Sequence, residues 1–271
     1  MATGAEYAFP ALGFALVYRT AKFFNLTAGS GAMTGGYIMF YLFRNLRLSL
    51  MVSMAGSVLF SAILGYALWE VLFSSLRKKK SLPLNMLLAS LGILITTEAA
   101  IALAFSHDYQ VIQVPGHYTI QIENLNISYL RITPLLFNAL LVPLLFIALR
   151  RTRLGKSVRA VSDNEDLAAI AGIDPDATAK YAFVLGTALS ALGGIFLALD
   201  AGVSPTVGLS IGLKSITATI IGGGTLLGTA TASYFLGVLE HATGWIVRGE
   251  WSDIVTFMTL ILFLFIKARQ P

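Results

Sequence analysis

Leu82–Phe105 reads LPLNMLLASLGILITTEAAIALAF, an apolar run carrying a single charge, Glu98. A helix needs about 20 mainly apolar residues to cross the hydrocarbon core of a bilayer, and this run meets that length alone. Flanking runs repeat the pattern at Leu50–Phe73, Leu130–Leu149, Tyr181–Leu199, Gly228–Val247 and Ile254–Ile266. Shorter or interrupted ones fall at 7–24, 31–46 and 205–223. The expected fold is all-α, a polytopic transmembrane bundle forming a single domain over 1–271.

Composition agrees. Of 271 residues, 56% are hydrophobic and 12% charged, against about 25% charged in soluble chains, and the mean hydropathy is +0.76. A soluble domain of this length has too little interior for that apolar surface, so lipid must cover much of it. Disordered chains are poor in apolar residues, which excludes disorder. Cysteine is absent, which excludes a disulfide framework, cysteine zinc sites and thiol catalysis. No basic stretch follows Met1, so a cleavable signal peptide is not expected.

The net charge of +5 points to topology rather than to nucleic acid. Arg77, Lys78, Lys79 and Lys80 form one group, Arg150, Arg151, Arg153, Lys156 and Arg159 a second, and Lys267 and Arg269 close the chain. Between His107 and Leu130 there is no Lys or Arg. Cations gathered in alternate loops follow the positive-inside rule. The segments 74–81 and 150–180 and the C-terminus are therefore expected in the cytoplasm, and 107–130 outside. That orientation gives eight or nine crossings, some short or re-entrant.

Two glycine-rich stretches interrupt the pattern. Asn25-Leu26-Thr27-Ala28-Gly29-Ser30-Gly31 precedes Gly35-Gly36, and Gly222-Gly223-Gly224-Thr225 precedes Gly228. Glycine lets helices approach closely or break, and broken backbone at membrane depth belongs in protein or beside a water-filled cavity. Short, interrupted segments in both halves are a pointer to a transport pathway; close packing alone is the other reading. Asn25, Thr27, Gly29, Gly222, Gly223, Gly224 and Thr225 are the pathway candidates, with Glu98 and Lys214 added as intramembrane charges. The stripe Gly186, Ser190, Gly194 reads as packing, and Glu240 as a residue reaching an interface.

The loop 150–180 carries helix punctuation. Ser162-Asp163-Asn164-Glu165 fits a capping box, with Ser162 capping and Glu165 reaching back. Leu167, Ile170 and Ala171 fall on one face, Gly172 ends the helix, and Asp174-Pro175 opens the next. The spacing predicts a short helix over 163–171 with an apolar edge. Such a helix suits a partner's groove; a solvated connector is the plainer alternative.

Arg151-Thr152-Arg153-Leu154-Gly155-Lys156-Ser157-Val158-Arg159-Ala160-Val161, followed by Ala168-Ala169-Ile170-Ala171-Gly172-Ile173, resembles the cytoplasmic loop of branched-chain amino acid ABC transporter permeases. The resemblance continues through Gly202-Val203-Ser204-Pro205, Gly208, Gly212-Leu213-Lys214, Gly222–Thr225 and Leu236-Gly237-Val238-Leu239-Glu240. It also takes in Ala11–Tyr18, Asn25, Gly29, Leu91-Gly92-Ile93, Glu98 and Phe105. The Gly-Leu-Lys and Leu-Glu pieces point to the H-type permease. Two departures stand out: Ala28 where the family usually has His, and three consecutive glycines at 222–224.

The resemblance implies a multi-pass permease subunit of the cell inner membrane, importing branched-chain or related amino acids by alternating access. Two ABC ATPase subunits would dock on the cytoplasmic loop, at Arg159, Ser162, Glu165, Leu167, Ile170 and Gly172. A second permease, identical or similar, would complete the pore in the lipid, and an extracytoplasmic solute-binding protein would deliver solute. No Gly-x-x-x-x-Gly-Lys-Ser/Thr occurs, so no cofactor is expected in this chain, and ATP–Mg belongs to the partners. A urea, amide or other small-solute permease of the same superfamily is the nearest alternative. A secondary transporter or channel has no need of a capped cytoplasmic helix. His107, His117 and His241 form no metal motif, and the spans bring together no nucleophile and base. Neither a metal site nor a catalytic residue is expected.

Overall fold

The computed structural model describes residues 2–79, 81–112, 119–122 and 125–246, with isolated positions between 254 and 265. Leu82–Phe105 becomes α5 (Pro83–Phe105), opened by Pro83 in the first turn, where a missing N–H leaves no helix bond unmade. The chain is an all-α membrane bundle. Among the described residues, Leu50–Lys78, Pro83–Phe105, Arg131–Arg151 and Pro175–Asp200 have the length and apolar character to cross a bilayer. The run expected at 254–266, with Lys80, His117, Lys267 and Arg269, lies wholly or mostly outside the described residues.

Two helices from opposite ends of the chain form the centre. In α1 (Ala2–Ala21) and α9 (Pro175–Asp200) most residues are buried. They run antiparallel: Gly13 lies on the backbone of Gly186, and Gly193 lies on Pro10 and Glu6. On the other side of α9, α2 (Thr27–Phe40) places Gly35 against Ala191 and Ala32 against Gly194. The Gly186–Ser190–Gly194 stripe is thus a packing seam, and small residues let the backbones touch there. With no hydrophobic drive between helices in lipid, such contact is what holds them together.

Around this centre, α3 (Leu50–Leu68) passes through a π-helical turn at Trp69–Phe73 into α4 (Ser74–Lys78). Trp69 and Phe73 pack with Phe23 and Phe183. Peripheral α6 (Tyr129–Arg151) is 11% buried over its most apolar stretch, against 72% for α9. The hairpin α10 (Val207–Ile221) and α11 (Leu226–Ile246) closes against α1, where Ala218, Ala232 and Leu236 meet Ala11.

Several expectations are corrected. The first helix runs over 2–21 rather than 7–24 and is among the most enclosed. The first glycine-rich stretch is broken only at 22–26; Gly29, Gly31, Gly35 and Gly36 lie inside α2. The loop after α6 holds α7 (Arg153–Asp163), which was not expected, before α8 (Glu165–Ile170), so the helix expected over 163–171 is shorter and is preceded by a second one. Within 107–130 an antiparallel ribbon pairs Thr119–Ile122 with Leu125–Ser128.

Candidate functional site

The loop end of the bundle is built by side chains reaching from distant parts of the chain. Thr152 caps α7 through Gly155 N, and Gly155, Val158 and Val161 are the buried face of that helix. Asn164 then caps α8, its Oδ1 accepting from Leu167 N at 3.0 Å. Ser162 is therefore not the cap. It lies in the last turn of α7, where Arg19 Nε donates to its hydroxyl at 3.3 Å and Lys22 Nζ to its carbonyl at 2.7 Å. Nor does Glu165 reach back, because Arg77 holds it in an ion pair. Arg159 donates to the Leu149 carbonyl and ties α7 to the end of α6. Gly172 ends the helix with φ +82°, a left-handed position that favours glycine. Asp174 caps α9 through Asp176 N and Ala177 N at 2.9 and 3.1 Å.

What this scaffold presents is apolar. Ala168 alone on α8 is buried, while Leu167 is 63% and Ile170 83% exposed. Six residues are too few for a helix to hold itself; caps, Gly172 and the Arg77 pair fix it instead. An apolar pair displayed at the tip of a pinned helix is the geometry of a docking element.

The pathway candidates separate into groups. Asn25 and Thr27 are buried and bonded to each other, Asn25 Oδ1 accepting from Thr27 N and Oγ1 at 3.0 and 2.6 Å. Leu26 N donates to Ser90 of α5. Gly29 lies on the Gly208 backbone. The second break is a true turn: Gly223 and Gly224 have φ +66° and +71°, Gly223 and Thr225 are exposed, and Thr225 Oγ1 accepts from Gly228 N. No hydrogen bond among the described residues joins the two stretches. They are linked through α10, whose Gly212 faces Leu26 and whose end enters the turn.

Lys214 is 5% exposed and fully engaged. Its Nζ donates to Glu240 at 2.8 Å and to the Tyr7 hydroxyl at 3.1 Å, and Tyr7 in turn donates to Glu240 at 3.0 Å. Beside this triad, Glu6 is 2% exposed, and its Oε1 has no partner among the described residues. Glu98, half-buried on α5, makes no hydrogen bond or ion pair there.

Between α2, α3 and α5 lies a cavity of about 610 Å³. Phe60, Leu64, Leu68 and Leu72 line one wall, Ile93, Thr96 and Thr97 the other, with Thr34 and Tyr37 on α2. Its threonine hydroxyls bond to carbonyls of their own helices, so the surface offered is apolar. Gly92 also lines it, and a Cβ there would meet nothing within 4 Å.

Sequence reasoning missed Arg77, Tyr7 and Asn164 as positioning residues. Arg77 belongs to a basic run that reads as a topology signal, and its carboxylate partners stand 88 and 99 positions away. Asn164 was legible as an alternative cap two residues after Ser162. Cations also reach the opposite end of the bundle: Arg131 pairs with Asp200, and Arg44 donates to the Val111 carbonyl.

Residues 1–264 match the family model described as the permease component of branched-chain amino acid transport systems. The high-affinity branched-chain amino acid transport system permease protein BraD of Pseudomonas aeruginosa is 27% identical, over 98% of this chain and 91% of that one. The corresponding LivH protein of Escherichia coli K12 is 27% identical, over 97% and 90%. The autoinducer 2 import system permease protein LsrC of Klebsiella pneumoniae is 31% identical over 45% of this chain and 38% of that one. No solved structure matches.

Proposed function

Because this chain belongs to the family of branched-chain amino acid transport permeases, we propose that it is the membrane subunit of an ATP-driven importer in the inner membrane. It carries branched-chain amino acids inward by alternating access. The observation that carries the reading is the α8 edge, where Leu167 and Ile170 stand exposed on a helix pinned from behind. Two ATPase subunits dock there on the cytoplasmic side, at the loop 150–180, and Arg159, Ser162, Glu165 and Gly172 hold the edge in place. The segment 107–130 faces outward, where a solute-binding protein delivers its cargo. A second permease, identical or similar, completes the pathway.

The chain's own groups supply the route. The Gly222–Thr225 turn is exposed at Gly223 and Thr225, and its amides already donate to carbonyls, so a solute there would meet carbonyl oxygens rather than amides. Asn25, Thr27 and Gly29 flank the same pathway through α10, with Glu98 and Lys214 as secondary members. A dry wall such as the 610 Å³ cavity suits an aliphatic side chain, whereas the exposed turn suits its polar end. Docked ATPases closing below shift the loop, and the bundle opens to the other side.

Ile170→Asp tests the docking edge. Burying that carboxylate against a partner desolvates it, so ATPase co-purification and uptake should fall by about tenfold or more. Membrane insertion should persist. Unchanged co-purification would make the loop a connector. A second reading, a permease for a different small solute, draws support from the partial likeness to LsrC; uptake competition between amino acids, amides and such solutes discriminates.

A further inference from the structure

Arg77 ends the long helical segment that begins at Leu50, and its side chain is only 10% exposed although it lies at the bundle's end. Its guanidinium binds two carboxylates on different elements, Glu165 in the first turn of α8 and Asp176 in the first turn of α9. A planar fork holds the two in fixed directions through separate nitrogens, Nε and an Nη, which an ammonium on a flexible stem does not. About two turns back along the same segment, Glu70 pairs with Lys180 at 2.8 Å. Glu70 belongs to the π-helical turn Trp69–Phe73, and Arg77 follows four residues after its end. Such turns are locally unstable insertions that recur at functional sites. Trp69 and Phe73 face Phe183 of α9, whereas Leu68 and Leu72 line the 610 Å³ cavity. A single stretch of backbone therefore touches the docking helix at one end and the cavity wall at the other.

We infer that Arg77 is the positioning residue that transmits movement of α8 to the cavity wall, through its Glu165 arm and the π-helical turn. The inference rests on the reading of α8 as the ATPase-docking helix. The Asp176 arm and the Glu70–Lys180 pair hold the segment against α9 as a fulcrum. When a docked ATPase draws α8 aside, Glu165 pulls Arg77, and the turn shifts against the Phe183 face of α9 on which it packs. Leu68 and Leu72 then change their presentation to the cavity. Rigid elements joined by ion pairs, with one element able to adopt two arrangements, are the physical basis of such coupling.

The chain has no cysteine, so Leu68→Cys reports on the cavity wall alone. In complexes with the ATPases, its labelling by a small polar thiol reagent should differ between nucleotide-free and ATP-trapped states. Arg77→Gln should abolish that difference and lower uptake by about tenfold, while ATPase co-purification falls less than it does in Ile170→Asp. Arg77→Lys, which restores the charge without the fixed fork, should recover part of both. Uptake and a labelling difference unchanged in Arg77→Gln would overturn the inference. If Arg77→Gln fails to insert, Arg77→Lys decides: an unreduced labelling difference and full uptake overturn it equally. Ile170→Asp, measured alongside, separates the two readings. Intact docking in Ile170→Asp with a lost labelling difference in Arg77→Gln removes the docking edge and keeps the strut; the converse keeps the docking edge and removes the strut.

Discussion

Gly29 and Gly35 lie within a helix, and their missing side chains serve contact; Gly223 and Gly224 stand in a turn, and theirs serve backbone angle. A Cβ on Gly29 would fall 2.0 Å from the Gly208 carbonyl oxygen, whereas one on Gly223 or Gly224 would meet nothing within 4 Å. In sequence the two stretches look equivalent, since both are rich in glycine and hydroxyls near a chain reversal. Their physics differs. Gly29 and Gly35 depend on neighbours far along the chain and tolerate no added atom; Gly223 and Gly224 depend on local dihedrals and have open space around them, whereas Gly222 and Gly228 crowd each other. The second is an exposed turn and the glycines of the first are buried helix contacts, so the two stretches enter the transport reading on different terms.

The largest expected effect belongs to the contact class. Gly194 would place a Cβ 1.8 Å from the Ala32 carbonyl oxygen, and both backbones are fixed by buried helices. Gly194→Val should destabilise the bundle by about 3 kcal/mol, at the upper end of overpacking, read as a lowered melting temperature in detergent. A melting temperature equal to that of the unsubstituted chain would show a looser seam than described. The angle class should respond less. Gly223→Ala puts a Cβ into a left-handed position at about 1–2 kcal/mol, and Gly223→Asn should recover much of that loss. Equal losses for alanine and asparagine would mean that crowding acts at the turn after all. The smallest effect belongs to a glycine in neither class. Gly92 is helical with open space beside it, so Gly92→Ala should raise stability by up to about 1 kcal/mol. A clear loss on thermal melting would reveal a neighbour, and hence a third role for glycine in this fold.

The spans were legible because hydropathy is a local property: Leu82–Phe105 was read and Pro83–Phe105 observed. Which spans form the centre was not. Helices α6 and α9 are similarly apolar, yet one is 11% and the other 72% buried. In lipid an apolar face has no reason to turn inward; what marks α9 is its small residues, of which Gly186, Ser190 and Gly194 were read as packing and Gly193 was not. The enclosure of α1 escaped because its own polar residues, Glu6 and Thr20, gave it the look of an irregular segment. At the loop, Gly172 and Asp174 were legible because caps act within a few residues. Ser162 misled because its partners, Arg19 and Lys22, lie 143 and 140 positions away. Arg77 was hidden for the same reason.

The Lys214–Glu240 pair bears on how the chain is built. A lone charge at mid-membrane costs roughly 2.5–3.5 kcal/mol on insertion scales, and α10 or α11 released singly into lipid would carry one each. The two charges stand only 26 positions apart, on helices joined by the Gly222–Thr225 turn. Folded back on that turn, the hairpin can neutralise itself before meeting the rest of the bundle. Tyr7 sits 207 positions before Lys214, on a helix synthesised first yet completed last. Until the hairpin arrives, α1 lacks the surface that covers Gly4 and Ala11. Assembly of this triad therefore waits on the C-terminal half: in a chain interrupted before α11, Lys214 would lack the Glu240 carboxylate that balances its charge.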